Sequence, residues 1–351
     1  MVRRIAFAVP GDLTTPTGGY AYDRRMIAEL RQLGWSIDFV DLGEDFPWPD
    51  SEARMAAEVR LSAIPADRAI VIDGLAFGVL PELALKLRLH HPLVALVHHP
   101  LALESGLSAT QIAKLQESER AALAAAARVV VTSEATARCI ASDYAVASER
   151  IFVVTPGVDL APVTRRNGGG SIVQLLSIGA VVPRKGFDVL VTALATLIDL
   201  PWQLSIVGDR SRDVQTAADL DKDIARFGLS NRVTLLGAVS PACLAVQFAN
   251  ADLFVLASRF EGYGMAYAEA IAHGLPVVGT TAGAIVDTVP AGAGVLVRPN
   301  DHVALASALR RLIEEPGERR QLADCARNAA TRLPSWQDSA RKFASVLESV
   351  T

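Results

Sequence analysis

The chain has 351 residues, 51% of them apolar and 21% charged, with a formal net charge of −4. That length exceeds one ordinary compact core, so two domains are expected, and the slightly acidic balance with scattered arginine doublets argues against nucleic acid as a partner. No basic leader precedes an uncharged apolar run of about 18 residues, and Cys139, Cys243 and Cys325 have neither metal-ligand nor disulfide spacing, so a cytoplasmic protein with at most peripheral membrane contact is expected.

Short apolar runs alternate with longer helical patterns from one end to the other, which predicts parallel α/β sheets. In the first half the runs fall at 5–9, 37–41, 69–72, 94–97, 129–132 and 152–155. After the first run comes a loop, 10–20, in which Gly18 and Gly19 precede a helix over 20–33 that stops at Gly34. The Gly-Gly pair lacks the Gly-x-Gly-x-x-Gly spacing of dinucleotide enzymes. The fourth run ends on His98-His99-Pro100. A histidine closing a buried strand is commonly structural, but strand-end loops are also where function concentrates.

Residues 165–171, Arg-Arg-Asn-Gly-Gly-Gly-Ser, suit neither helix nor strand and are expected to link two domains, 1–166 and 171–335. The pattern then restarts, with strands expected at 173–178, 203–207, 233–236, 253–257, 276–279 and 295–298 and three helical stretches closing the chain. Two doubly wound domains of this kind, Rossmann-like in architecture, form a natural cleft, and ligands of open α/β sheets bind beyond the carboxyl ends of strands.

Two strand-end segments of the second half stand out. The first, Gly179-Ala180-Val181-Val182-Pro183-Arg184-Lys185-Gly186, sets two cations at the opening of a helix, where they could neutralise a leaving diphosphate. The second runs from the 253–257 strand through Glu261-Gly262-Tyr263-Gly264-Met265 into a helix over 265–273 that carries Glu269. Glycines at a helix start let an anion approach free N–H groups, and flanking carboxylates suit sugar hydroxyls better than phosphate. An ordinary strand–turn–helix with solvated glutamates fits the same spacing. Asp219-x-Asp221-x-Asp223 lies in a helical pattern, and no Asp-x-Asp pair falls in a strand-end loop, so no metal or cofactor is expected.

The string Glu261-Gly-Tyr-Gly-Met-Ala-Tyr-Ala-Glu269-Ala, continued by Gly274-Leu275-Pro276-Val277-Val278 and Gly283, closely resembles the signature of glycosyltransferase family 4, retaining enzymes of the GT-B fold. The Arg184-Lys185 segment resembles that family's basic donor-phosphate motif, with Ala180 standing where many members have arginine. Gly18-Gly19 resembles its glycine loop, and Thr132-Ser133-Glu134, Pro156-Gly157-Val158-Asp159 and Val207-Gly208-Asp209 agree, so the pattern spans nearly the whole chain.

The resemblance implies two Rossmann-like domains facing an interdomain cleft, with residues 336–351 crossing back onto the N-terminal domain. It implies transfer of a hexose-type sugar from a UDP- or GDP-sugar to an acceptor, such as a lipid-linked or polysaccharide precursor, with retention and without metal. Glu269 would hold the ribose hydroxyls, Glu261 the donor sugar, and the amides of Gly262, Tyr263, Gly264 and Met265 the phosphates. Arg184 and Lys185 would stabilise the leaving group, with Gly18, Gly19, Gly179 and Gly208 lining the donor pocket. His98, or His99 in second place, would sit near the donor sugar or its phosphate, with Glu104 nearby. A sugar-nucleotide hydrolase or epimerase on the same fold, and a binding protein without turnover, are the alternatives.

Overall fold

The computed structural model describes residues 3–159 and 171–351. They fall into two compact units: unit 1, residues 1–157 with 334–351, and unit 2, residues 158–333. The glycine run of the expected linker lies outside the described residues. The division falls earlier than it, at Gly157, and a second crossing comes at Leu333. Val158 is already part of unit 2, packed against Ala268 and Ala272.

Unit 1 runs β1 (Arg4–Val9), α1 (Gly18–Gln32), β2 (Ser36–Asp41), α2 (Ser51–Ser62), β3 (Ala69–Asp73), the one-turn α3 (Gly74–Phe77), α4 (Pro81–Leu87), β4 (Leu93–Val97), α5 (Ala109–Ala125), β5 (Arg128–Val131), α6 (Glu134–Asp143) and β6 (Ile151–Val153). Its six strands are all parallel, in the order β2-β1-β3-β4-β5-β6. Helices cover the faces, so β3 and β4 are buried at every residue, which is why they read as unbroken apolar runs.

Unit 2 runs β7 (Val173–Ile178), α7 (Phe187–Ala195), β8 (Trp202–Val207), α8 (Val214–Arg226), β9 (Val233–Gly237), α9 (Pro241–Asn250), β10 (Leu253–Val255), α10 (Met265–Ala272), β11 (Val277–Thr280), α11 (Ile285–Thr288), β12 (Gly294–Val297), α12 (His302–Glu314) and α13 (Pro316–Ala330). The parallel order β12-β11-β10-β7-β8-β9 is the doubly wound arrangement, reversing between β7 and β10. The crevice at that reversal is where a ligand of such a sheet binds, and it lies beyond the carboxyl ends of those two strands.

The last helix, α14 (Trp336–Glu348), belongs to unit 1. Ser335 and Asp338 form its capping box, and Phe343 stacks on Phe7 at 6.4 Å between centroids. Trp336 meets Tyr22 edge-on at 5.9 Å, and Ser339 Oγ donates to the carbonyl of Thr155 at 2.7 Å. Gly157 runs so close beneath this helix start that a Cβ there would lie 2.2 Å from the Trp336 nitrogen.

Helix starts differ in how their first amides are satisfied. Thr17, Asp50, Ser108, Ser133, Asp213, Ser240, Asp301 and Ser335 cap their helices with a side-chain oxygen. By contrast α7 and α10 begin on Gly186 and Gly264, both left-handed (φ 66° and 91°), with no side-chain cap. These two helices follow β7 and β10, so their uncapped amides sit at the reversal of the sheet.

Candidate active site

In unit 2 the loops after β7 and β10 are locked together through backbone that tolerates no extra atom. A Cβ on Gly186 would fall 2.1 Å from the carbonyl oxygen of Ala257, and the amide of Arg259 donates to the carbonyl of Arg184 at 2.7 Å. The Arg259 side chain holds Asp188 at 2.6 Å and bonds the carbonyl of Pro183. A third loop, after β8, closes in where Gly208 touches Gly179: a Cβ on Gly208 would lie 1.8 Å from the Gly179 oxygen. Gly179 in turn carries the Lys185 chain, which passes 3.1 Å from the site of its own missing Cβ.

This frame delivers Arg184 and Lys185 to Glu261. Lys185 Nζ lies 2.6 Å from Glu261 Oε1, and Arg184 Nη1 lies 3.3 Å from Oε2 and 3.0 Å from the carbonyl of Phe260. Ser258, fully buried in the loop after β10, donates to Glu261 Oε1 at 2.6 Å. Burial alone would raise the Glu261 pKa, but Lys185 and Arg184, with the hydrogen bonds from Lys185 and Ser258, hold it at about 2. Glu261 is therefore an ionised acceptor at neutral pH, with both Lys185 and Arg184 against its carboxylate. Gly283 backs it from the loop after β11, where a Cβ would sit 2.3 Å from the Glu261 carbonyl oxygen, and the Ala284 amide donates to that oxygen at 2.9 Å.

Glu269 has the opposite character. It lies in the second turn of α10, half-buried, and its carboxylate takes no hydrogen bond among the described residues. Burial, then the charge of Asp159, raise its pKa to about 7, against a smaller pull from Lys185. Two glutamates on one loop–helix thus differ by environment: one is fixed as an anion, the other poised to change charge near neutrality. Between them run the backbones of Gly262, Tyr263, Gly264 and Met265, with Thr288 Oγ1 donating to the Tyr263 carbonyl. All of these residues lie beyond the carboxyl ends of β7, β8 and β10 in the unit 2 sheet, together with Gly179, Gly208, Arg184 and Lys185.

In unit 1, Gly18 and Gly19 are the first two residues of α1 rather than a loop before it, because the Thr17 hydroxyl caps the helix by accepting from the Tyr20 amide at 3.3 Å. Gly19 makes room for His98: a Cβ there would be 3.2 Å from the imidazole. His98 Nε2 lies 3.1 Å from Asp23 Oδ1 and 3.2 Å from Asp73 Oδ2, and both aspartates are buried. Desolvation disfavours the imidazolium, but the two carboxylates outweigh it and raise the His98 pKa to about 10. Asp23, still without a partner for Oδ2, is raised to about 6, by burial first. The group is thus a buried imidazolium held by two aspartates. These three side chains are also close enough to hold a cation, but a protonated imidazole already supplies the balancing charge. His99 points elsewhere, with Nε2 3.4 Å from Glu104.

Asp23, Asp73 and Ser258 escaped the sequence reading. Asp73 and Ser258 each directly follow an apolar run, the one sequence signal that could have found them; their burial is set by the fold. Asp23 lies one turn beyond Gly19 within an amphipathic helix, where it reads as a solvated residue.

Residues 172–315 match the model described as Glycosyl transferases group 1, and residues 69–162 match Glycosyltransferase Family 4. The chain is 30% identical over 338 residues to the MMP alpha-(1->4)-mannosyltransferase of Mycolicibacterium hassiacum, covering 90% of this chain and 80% of that one. It spans only about half the length of the D-inositol 3-phosphate glycosyltransferases that it also matches, such as 53% of that of Thermomonospora curvata. In fold it resembles the sucrose-phosphate synthase of Thermosynechococcus elongatus (TM-score 0.81, 21% identity, 99% of each chain). It likewise resembles Anabaena HepE, solved with UDP and glucose (TM-score 0.77, 21% identity, 98% of this chain and 99% of that one).

Proposed function

Because this chain belongs to glycosyltransferase family 4 and is a glycosyltransferase of the GT-B fold, we propose that unit 2 binds a nucleoside diphosphate sugar, UDP- or GDP-linked, and that its hexose-type sugar passes to an acceptor with retention and without a divalent metal. One observation carries the proposal: two glycine-capped helix starts and the Arg184–Lys185 pair converge at the reversal of the unit 2 sheet.

On this reading the diphosphate lies against the backbone of residues 262–265 at the start of α10, where the helix dipole also favours negative charge. Lys185 and Arg184 stabilise charge as it develops on the leaving phosphate, the preorganised electrostatics that commonly supply the largest share of catalysis. Glu261 does not quench them, since its remaining acceptor capacity on Oε2 is available to donor-sugar hydroxyls. Glu269 accepts from the ribose, and ribose hydroxyls that donate to it favour its ionised form. The bond from the anomeric carbon to the diphosphate breaks as the acceptor oxygen attacks from the same face, and the departing phosphate oxygen takes the acceptor's proton. His98 cannot serve as a base while Asp23 and Asp73 keep it protonated; it offers positive charge and an N–H instead. The solved UDP and UDP-glucose complexes of HepE make UDP-glucose the first donor to try.

Calorimetric titration with UDP, GDP and ADP in EDTA, repeated with Glu269→Ala, tests the donor site. Tight binding of one diphosphate that is lost in the variant is expected, followed by EDTA-resistant transfer from the matching sugar nucleotide and an NMR signal for the retained anomer. If no diphosphate binds, or if the variant binds as well as the wild type, the donor assignment fails. Turnover abolished by EDTA and restored by a divalent cation would overturn metal independence.

A further inference from the structure

We propose that unit 1 carries a second anion site, remote from His98, which binds a phosphate-type oxyanion through Arg88, Arg128 and Arg150. A cavity of about 610 Å³ opens at the amino ends of β4, β5 and β6, between residues 88–93, the end of α5 at 124–127, and Arg128 and Arg150. His98 follows the carboxyl end of β4, so the five residues of that strand, roughly 16 Å, separate the two places.

The arginines are placed by neutral groups rather than by carboxylates. Arg150 donates to the carbonyl of Leu123 at 2.7 Å and also to that of Ala126. Arg128 donates to the carbonyl of Ala127 at 2.9 Å and to Ser349 Oγ at 3.2 Å, and lies over the ring of Phe152 at 5.7 Å. Arg88 is exposed on the rim. None of the three forms an ion pair among the described residues. Burial and the positive charges of Arg88 and Arg128 lower the Arg150 pKa, and Glu149 is the smaller counterweight. Carbonyl contacts thus fix the Arg128 and Arg150 guanidinium groups and leave the repulsion among the three cations only partly offset, by Glu149.

An oxyanion in the cavity would relieve that repulsion, and guanidinium forks match phosphate oxygens geometrically. The phosphate could belong to a soluble compound or to a phospholipid headgroup. Leu89, 76% exposed beside Arg88, is the side chain that would separate these sources, since only a lipid surface would cover it.

The probes are inorganic pyrophosphate, followed by calorimetry, and vesicles of phosphatidylcholine alone or mixed equally with phosphatidylglycerol, followed by co-sedimentation. The variants are Arg88→Ala, whose side chain anchors nothing and so leaves the fold intact, Arg88→Glu with Arg128→Ser, and Leu89→Ser. Wild-type protein is expected to bind pyrophosphate in a salt-dependent manner, with a component weakened about tenfold or more in the double variant and partly in Arg88→Ala. If the headgroup is the ligand, only phosphatidylglycerol vesicles sediment the protein, and Leu89→Ser weakens that without changing pyrophosphate binding. Pyrophosphate binding that depends on Arg88 and Arg128, without sedimentation, assigns the site to a soluble phosphate. The proposal is overturned if the arginine variants bind pyrophosphate and vesicles as the wild type does.

Discussion

Replacing Glu269 by glutamine should make the protein more stable while removing its nucleotide binding. In the folded chain without nucleotide the Glu269 pKa is raised from 4.5 to about 7, first by burial and then by Asp159. A carboxyl raised in this way opposes folding above its unfolded pKa: the unfolded chain gives up the proton from about pH 4.5, whereas the folded chain keeps it until about pH 7. Taken at face value the difference amounts to about 3 kcal/mol at pH 8. The group is partly exposed, so solvent screening brings the expected penalty to about 1–2 kcal/mol. For a unit of this size each kcal/mol moves the midpoint by about 2–4 °C, so Glu269→Gln should melt about 2–8 °C higher at pH 8 and almost level with wild type at pH 4.5. Thermal unfolding of both proteins across that range, without nucleotide, measures this directly. A variant no more stable than wild type at pH 8, or an advantage that does not grow between pH 5 and 8, would refute the account of Glu269 as a carboxylate strained by its surroundings. With nucleotide present the ranking should reverse, because only the wild type gains stability from the ligand.

Lys185→Met removes the 2.6 Å contact to Glu261 and one of the two cations, and kcat in the transfer assay should fall about 10²- to 10³-fold; a loss confined to KM would mean that Lys185 does not act on the leaving group. The stability that His98 contributes is fully present below its ordinary pKa of 6.5 and is lost as pH rises towards about 10. Unfolding of unit 1 should therefore become easier over that interval in the wild type, and His98→Gln should lack this pH dependence; parallel curves for the two proteins would show that the aspartates do not hold an imidazolium. Gly283→Ala puts a Cβ 2.3 Å from the Glu261 carbonyl oxygen at φ +58°, so it should destabilise unit 2 by more than about 1 kcal/mol and weaken donor binding. Unchanged melting and affinity would show that this loop yields freely.

All twelve strand positions were legible, the central ones because a strand buried on both faces requires an unbroken apolar run, as in Leu93–Val97 and Val277–Thr280. The family was legible too, from the Glu261–Glu269 string. Strand ends were less so: the expected strand 253–257 leaves its ladder at Val255, because Ala257 and Ser258 turn to meet Gly186 and Glu261. Strand order, and with it the position of the reversal between β7 and β10, depends on contacts between segments far apart in the chain. Asp23, Asp73 and His98 show the same limit, since their meeting joins residues 75 apart that share no local pattern. Burial is what gives them their character, and a polar residue's burial is set by the fold rather than by its neighbours in sequence.

Helix α14 gives the chain an unusual order of assembly. Phe343 and Trp336 complete the packing around Phe7 and Tyr22, so the first unit to leave the ribosome is the last to be finished. Unit 2 is an insertion within unit 1 and can fold while its host still waits for those closing residues. Until then the faces of β1 and α1 that α14 will cover stay open. A stop codon a few residues before Trp336 would therefore do its damage at the other end of the chain.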